Sequence, residues 1–432
     1  MRSSKSFVGK SFLVASVSLA LAACGSPDSS SPPPAQSGGT PAASQPAYVP
    51  DMERALAQAM KDTAVPGLVI LVRSPKGEWT RTLGTSEIGT SKPWSPADHF
   101  RIGSNTKTMT STVILQLVQE GKLALTDPVS RYIRGVPNGD KITIANLSEM
   151  RSGLYSYTAD AAFNRTLDEQ PKKAWKPEEL LRVAFSHPVN ASPNTEFDYS
   201  NTNIVLLGLI IEKLTGMSAS EAFRKRIFEP LNLKQTSLPG PNDWAIPDPH
   251  PRGYQFLTNF ETVDSYAVPK DQLAAALDGK FKPLEYTDAS PSWAWTAGGA
   301  ISTVQDLAIY VKALVGGGLL SPGMQKIRMD SIREIASGAG YGLGIAKFGP
   351  MYGHDGQLPG FSSFMAYDPK TDTTLIIGAN LSAEPTNGTN AAVALGKAAM
   401  RVLYGPAAVS AGDPAQTGAA TSATPPRRKS GQ

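Results

Sequence analysis

The sequence holds one cysteine in 432 residues, so an intramolecular disulfide framework is excluded. It also lacks charge of one sign where a nucleic-acid binder would need it. Of the formal +4, Arg2, Lys5 and Lys10 carry the N-terminal share and Arg427, Arg428 and Lys429 the C-terminal share, against Asp28 and Asp413. Residues 46–407 therefore carry no net charge. Phosphate-driven affinity rests on many Lys and Arg, so nucleic acid is set aside as a partner. The chain has no apolar run long enough to cross a bilayer, which takes on the order of 20 residues. It has no internal repeat either. Its length allows two or three folding units with ample core.

The apolar run that is present covers 12–23, behind a basic stub, and ends in Leu21-Ala22-Ala23-Cys24. This is the pattern of a secretory signal, expected over 1–23. The four residues resemble the lipobox of bacterial lipoproteins, which implies a lipid on Cys24 and a protein held to the outer side of the cell membrane. The alternative is an ordinary signal with an incidental cysteine. Residues 24–47 are rich in Ser, Pro and Gly and bear no apolar side chain larger than Ala apart from proline rings and the anchoring cysteine. Such a segment cannot bury enough surface to fold, and as a coil it spans roughly 25–30 Å. Residues 407–432 repeat that composition and are expected to be a disordered tail.

Between the ends, a helix pattern at 51–61 precedes two β-like runs, 67–73 and 78–83, split by Ser74-Pro75-Lys76-Gly77 and therefore a hairpin. Helical patterns follow at 104–120, 144–150, 177–185, 201–215 and 219–228, and 237–292 reads as irregular and Pro-rich. Thr303 with Asp306 starts a further helix over 303–315. Short strands are expected at 341–347, 351–354, 361–367 and 373–379, then a last helix at 390–403. Both ends of the body thus offer strands beside a terminal helix. The economical reading is one antiparallel sheet built from both ends, terminal helices on one face, and a helical region at about 104–290 beside it. Functional residues belong at the junction.

The informative segment is Phe100-Arg101-Ile102-Gly103-Ser104-Asn105-Thr106-Lys107. Residues three apart on a helix share a face, so Ser104 presents its hydroxyl beside the Lys107 amine at a helix start. The positive end of the helix stabilises an alkoxide and disfavours a protonated lysine, which makes the pair a candidate nucleophile and base. Alone, the same residues read as a capping serine with a solvated lysine. Two further motifs occur once each: Tyr199-Ser200-Asn201 before an apolar helix, and His354-Asp355-Gly356 at the end of a strand. Each has a plain alternative, a core tyrosine, a capping asparagine and a turn histidine.

In this order the three motifs resemble the active-site elements of the serine β-lactamase and penicillin-binding-protein superfamily, and the Tyr-x-Asn form resembles its class C branch. That branch includes class C β-lactamases, low-molecular-weight D-Ala-D-Ala carboxypeptidases, D-aminopeptidases and esterases. The likeness extends to Gly121-Lys122-Leu123, Ile142-Thr143-Ile144, Ser152-Gly153-Leu154, Ala297-Gly298-Gly299-Ala300-Ile301-Ser302-Thr303 and Pro359-Gly360-Phe361-Ser362-Ser363, across roughly residues 50–405. It implies an α+β fold of the β-lactamase/transpeptidase type over 48–406, with an antiparallel sheet flanked by helices and an all-helical region alongside. By the same resemblance Ser104 is the acylated nucleophile, Lys107 its activating partner and Tyr199 the hydroxyl that shuttles the proton to the leaving group. Asn201 orients the substrate amide or the lysine. His354 takes the third motif's cationic or proton-relay position, Gly356 and Gln357 join Asn201 and His354 in binding substrate, and the backbone N–H groups of Ser104 and Gln357 form the oxyanion hole. No metal or organic cofactor follows from this scheme.

An amine of ordinary pKa cannot accept a proton at neutral pH. Lys107 must be lowered to about 7, a differential of roughly 5 kcal/mol, which burial, the helix end and a neighbouring cation can supply together; Tyr199 faces the same requirement, and either of the two is a candidate base. Two departures stand out. Asp355 occupies a place where relatives commonly have Thr or Gly; pointing into the site it would repel a substrate carboxylate, pointing away it would tie down a loop. Glu149-Met150-Arg151 replaces a Thr-His-Thr sequence. Trp293, Trp295 and Tyr157 are either a substrate wall or packing. The expected activity is that of an envelope serine hydrolase acting on a small molecule or a wall peptide, carboxypeptidase-like on D-Ala-D-Ala ends. The alternatives are an esterase, a class C-like β-lactamase, or a catalytically silent penicillin- or wall-binding lipoprotein.

Overall fold

Two apolar runs from opposite ends of the sequence pair in the middle of one sheet. The computed structural model describes residues 45–409, and among them the strands are, in chain order, β1 (Gly67–Ser74), β2 (Gly77–Gly84), β3 (Phe100–Arg101), β4 (Tyr254–Gln255), β5 (Leu284–Glu285), β6 (Ile301–Ser302), β7 (Arg333–Ala336), β8 (Ala339–Tyr341), β9 (Ala346–Phe348), β10 (Met351–Leu358), β11 (Phe361–Asp368) and β12 (Thr373–Ala379). Eight of them form one sheet in the order β2-β1-β12-β11-β10-β9-β8-β7. Every neighbouring pair is antiparallel. The expected signal over 1–23 and residues 24–44 of the expected linker, Cys24 included, lie outside the described residues, as does the expected tail beyond 409.

β1 registers against β12 with Ile70 opposite Ile377. Leu68, Ile70, Leu71, Val72, Leu375, Ile376 and Ile377 are all fully buried. Strands covered on both faces need no alternation, which is why these read as continuous apolar runs. The final helix, Ala391–Tyr404, lies on one face, where a Cβ on its Gly396 would stand 3.1 Å from the Phe364 ring. The first helix, Val49–Thr63, packs on the final one. The helix Val304–Gly316 lies on the other face: its Gly316 approaches Tyr367, three residues from Phe364 on the same strand and so on the opposite side. The fold is mixed α+β with helices on both faces.

The middle carries helices Thr106–Gln119, Ala161–Glu169, Pro177–Phe185, Asn201–Thr215 and Lys270–Leu277. It is not wholly helical, since β4 and β5 pair as a two-residue ladder, too short to leave a period in the sequence. The strand expected over 341–347 is interrupted by a turn at 342–345, where Gly344 (φ 64°) donates to the Ser148 carbonyl and a Cβ would fall 2.0 Å from the Ser111 hydroxyl. The tail read as starting at 407 begins with an ordered turn, Pro406–Val409, against the final helix.

β10 runs past His354 to Leu358, so the His-Asp-Gly motif lies inside a strand and not at its end; Phe361, Ser362 and Ser363 of β11 continue the ladder. Asn390 caps the final helix, accepting from the Val393 N–H at 3.2 Å. Its amide nitrogen donates to Asp355 Oδ2 (3.1 Å) and to the Gly356 carbonyl (2.9 Å). Asp355 thus ties β10 to a helix N-terminus, whose dipole favours a buried carboxylate. Asn390→Ala removes the cap and leaves two buried acceptors without this donor. The variant is expected to lose about 2–4 kcal/mol in urea unfolding.

Candidate active site

Ser104 stands in a tight 3₁₀ turn, Gly103–Asn105, that leads into the helix Thr106–Gln119. The turn lies directly on β10. A Cβ on Gly356 would meet the Ile102 carbonyl oxygen at 1.9 Å, and a Cβ on Gly103 (φ 53°) would meet the Gln357 backbone nitrogen at 2.5 Å. Both glycines are therefore required by close backbone approach. The same approach brings the Gln357 backbone nitrogen against Gly103, the residue before Ser104. Asn105 locks the turn down: its amide nitrogen donates to Ser363 Oγ (2.7 Å) and to the Ile102 carbonyl (3.1 Å), and Ser363 donates to that carbonyl at 2.8 Å. Asn105 carries no motif of its own, and only the fold shows its part.

Lys107, one turn on, is fully buried. Its Nζ donates to Ser104 Oγ and to the Ala297 carbonyl, both at 2.8 Å, and lies 4.9 Å from the centre of the Tyr199 ring. Burial lowers its pKa to about 7, against the opposing pull of Asp355. The helix start adds to the lowering. At neutral pH a large share of the amine is unprotonated and 2.8 Å from the hydroxyl it would activate.

His354 is buried across from this pair. Burial, then the neighbouring Lys107 charge, lower its pKa to about 3, so the imidazole is neutral. Nδ1 lies 2.6 Å from the Asp355 carbonyl, which can only accept, so Nδ1 carries the proton. Nε2 then accepts from the Tyr341 hydroxyl at 3.1 Å, and burial raises the Tyr341 pKa and keeps that phenol protonated. Asp355 Oδ1 is 3.6 Å from Nδ1, but with a neutral ring this is no ion pair. Of the two roles expected of His354, the cationic one does not fit the free protein. Tyr341 was not legible as a site residue, because nothing local in its sequence marks it.

Tyr199, half-buried, completes the cluster, its ring 6.2 Å from Tyr341 and 6.3 Å from His354. Asn201 starts the helix Asn201–Thr215; its amide nitrogen donates to Thr158 Oγ1 at 3.0 Å, while the hydrogen bonds of Lys107 go to Ser104 and Ala297. That bond uses one of the two N–H groups of the amide, which leaves the second N–H and the carbonyl oxygen as the groups that can meet a substrate. Tyr157 is core, fully buried with its hydroxyl on the Trp293 carbonyl at 2.7 Å, whereas Trp293 and Trp295 are half-buried. Among the described residues no group of three or more His, Cys, Asp or Glu side chains is placed to hold a metal ion.

The pH dependence follows from Lys107. Its basic form gains population as pH rises through about 7, so the rate of Ser104 acylation should climb along an acid limb with its midpoint there. Stopped-flow acylation between pH 5 and 9 reads it, roughly tenfold per pH unit on the acid side.

A model of the β-lactamase family matches residues 52–399. A D-stereospecific amidohydrolase from a Streptomyces species has a similar structure, with 30% identity, a TM-score of 0.69, and coverage of 83% of this chain and 99% of that one. The D-amino acid amidase of Ochrobactrum anthropi SV3, solved with D-phenylalanine, gives 26% identity and a TM-score of 0.66 over 82% and 99%. Protein flp of Staphylococcus aureus (strain MW2) is 26% identical, over 74% of this chain and 60% of its own length. The match of the family model, the eight-stranded antiparallel sheet and the overlap with solved hydrolases place the chain in the β-lactamase family, among the serine hydrolases of the penicillin-binding-protein and β-lactamase type.

Proposed function

We propose that the protein is a serine amidohydrolase or esterase of the class C-like branch that works through a Ser104 acyl-enzyme on neutral D-amino-acid derivatives. The observation that carries this is the 2.8 Å contact between Ser104 Oγ and an amine whose pKa burial lowers to about 7. Lys107 takes the Ser104 proton as Oγ attacks the carbonyl carbon, and the resulting oxyanion is met by the backbone N–H groups of Ser104 and Gln357. Tyr199 hands its proton to the departing amine or alkoxide and is refilled by the proton on Lys107, which leaves the amine neutral again. Water then attacks the acyl-enzyme, Lys107 accepts its proton, and that proton returns to Ser104 Oγ as the acid leaves.

The neutral imidazole supports a substrate without a terminal carboxylate. A carboxypeptidase must hold a terminal carboxylate, and His354 offers no positive charge for it. An amide or ester leaving group needs none. The D-stereospecific names of two structural relatives support the same class. A second reading, removal of D-Ala from wall peptides, is favoured by the signal and lipobox-like sequence ahead of Cys24, which suit an anchored protein facing the wall.

With D-phenylalanine amide, L-phenylalanine amide and a peptide ending in D-Ala-D-Ala as substrates, turnover of the D-amide should exceed the others. Ser104→Ala should lower it at least about ten-thousand-fold. Preference for the D-Ala-D-Ala peptide would establish the second reading instead. Anchoring has its own test: Cys24→Ala should move the protein from the membrane fraction to the soluble one.

A further inference from the structure

Trp295 is an aromatic residue with φ 37°, in the left-handed region that side chains with a Cβ avoid. Strain of this kind persists only where the surroundings enforce it. Trp295 opens the short turn Trp295–Gly298, closed by Ala297 N–H on the Ala294 carbonyl (2.7 Å) and Gly299 N–H on the Trp295 carbonyl (2.7 Å). Three contacts fix that turn to the two helices that carry the site. Thr110 Oγ1 donates to the Thr296 carbonyl at 2.7 Å, Thr296 Oγ1 donates to the Ile204 carbonyl at 3.1 Å, and Lys107 Nζ donates to the Ala297 carbonyl at 2.8 Å. The indole and the Thr296 side chain together sit where only glycine leaves room, since a Cβ on Gly208 would be 2.5 Å from Thr296 Oγ1 and 2.7 Å from Trp295 Cζ3.

We infer that Trp295 is a positioning residue: its left-handed backbone, held by the indole seated on Gly208, aims the Ala297 carbonyl at Lys107 and so directs the amine's lone pair at Ser104. The inference rests on the acyl-enzyme reading above. Lys107 has two hydrogen-bond partners, and the carbonyl can only accept, so it fixes one N–H and leaves the remaining directions of the amine to Ser104. The titratable groups around the amine are Tyr199 from the loop before the Asn201–Thr215 helix and His354 and Asp355 from β10, with Tyr341 of β8 behind His354. None of them belongs to the 295–298 turn. The turn's direct contact with the amine is the Ala297 carbonyl, which stabilises the protonated form; losing that acceptor lowers the pKa further and moves the acid limb to lower pH.

The test uses the full chain and the phosphonylation of Ser104 by a fluorophosphonate, in which Oγ attacks phosphorus and fluoride leaves, followed by intact mass across pH. Trp295→Ala keeps the backbone penalty and loses the indole, so the turn relaxes: labelling should slow about ten- to a hundredfold and the acid limb should move to lower pH. Trp295→Gly also loses the indole but adopts the left-handed backbone without penalty, so it should stay within about threefold of the wild type with its limb near the original position. A merely structural role for the indole predicts equal losses in both variants and an unmoved limb, which would overturn the inference. If the wild type itself is not labelled on Ser104, the acyl-enzyme reading fails and this inference with it.

Discussion

Everything in the site depends on an amine sealed away from water. Lys107 is fully buried, and its hydrogen bonds run to a hydroxyl and a carbonyl, not to a carboxylate. In such surroundings the ammonium form is penalised and the neutral base becomes accessible near pH 7. The rest of the architecture serves to maintain that burial while leaving Ser104 half-open. The helix Thr106–Gln119 is buried on nearly every side, the 295–298 turn closes over the amine, and the Tyr199 ring covers it from a third direction.

The same low polarity explains the neighbours. A cation beside Lys107 would have to be desolvated as well, and His354 accordingly stays neutral, with one nitrogen on a carbonyl and the other on a phenol. Among the described residues Asp355 is the carboxylate that acts on the lysine, and it is held by Asn390 at the capped start of the final helix. The sheet thus separates two electrostatic tasks along one strand: a neutral imidazole at position 354 toward the reaction, and a carboxylate at 355 toward a helix end.

Much of this was legible because it is local. The hairpin at Ser74-Pro75-Lys76-Gly77, the 177–185 and 201–215 helices and the Ser-x-x-Lys spacing depend on periods and turn residues that short windows contain. The two-ended sheet was also readable, since its buried strands are uninterrupted apolar runs. What escaped depends on contacts between distant residues. The β4–β5 ladder is two residues long, and β10 extends past His354 only because β11 is there to pair with it. Asn105 on Ser363, Tyr341 on His354 and Asn390 on Asp355 join residues 258, 13 and 35 positions apart. The direction of Asp355, left open by the sequence, was decided by which helix covers that face of the sheet.

The central claim is that Lys107 is a base of near-neutral pKa in the resting protein. It is tested most directly by titrating the Lys107 ammonium by NMR, with lysine labelled at Cε and Nζ and the resonance assigned by its loss in Lys107→Arg. The account predicts a midpoint near 7. A midpoint at the ordinary lysine value, about 10.4, would contradict it.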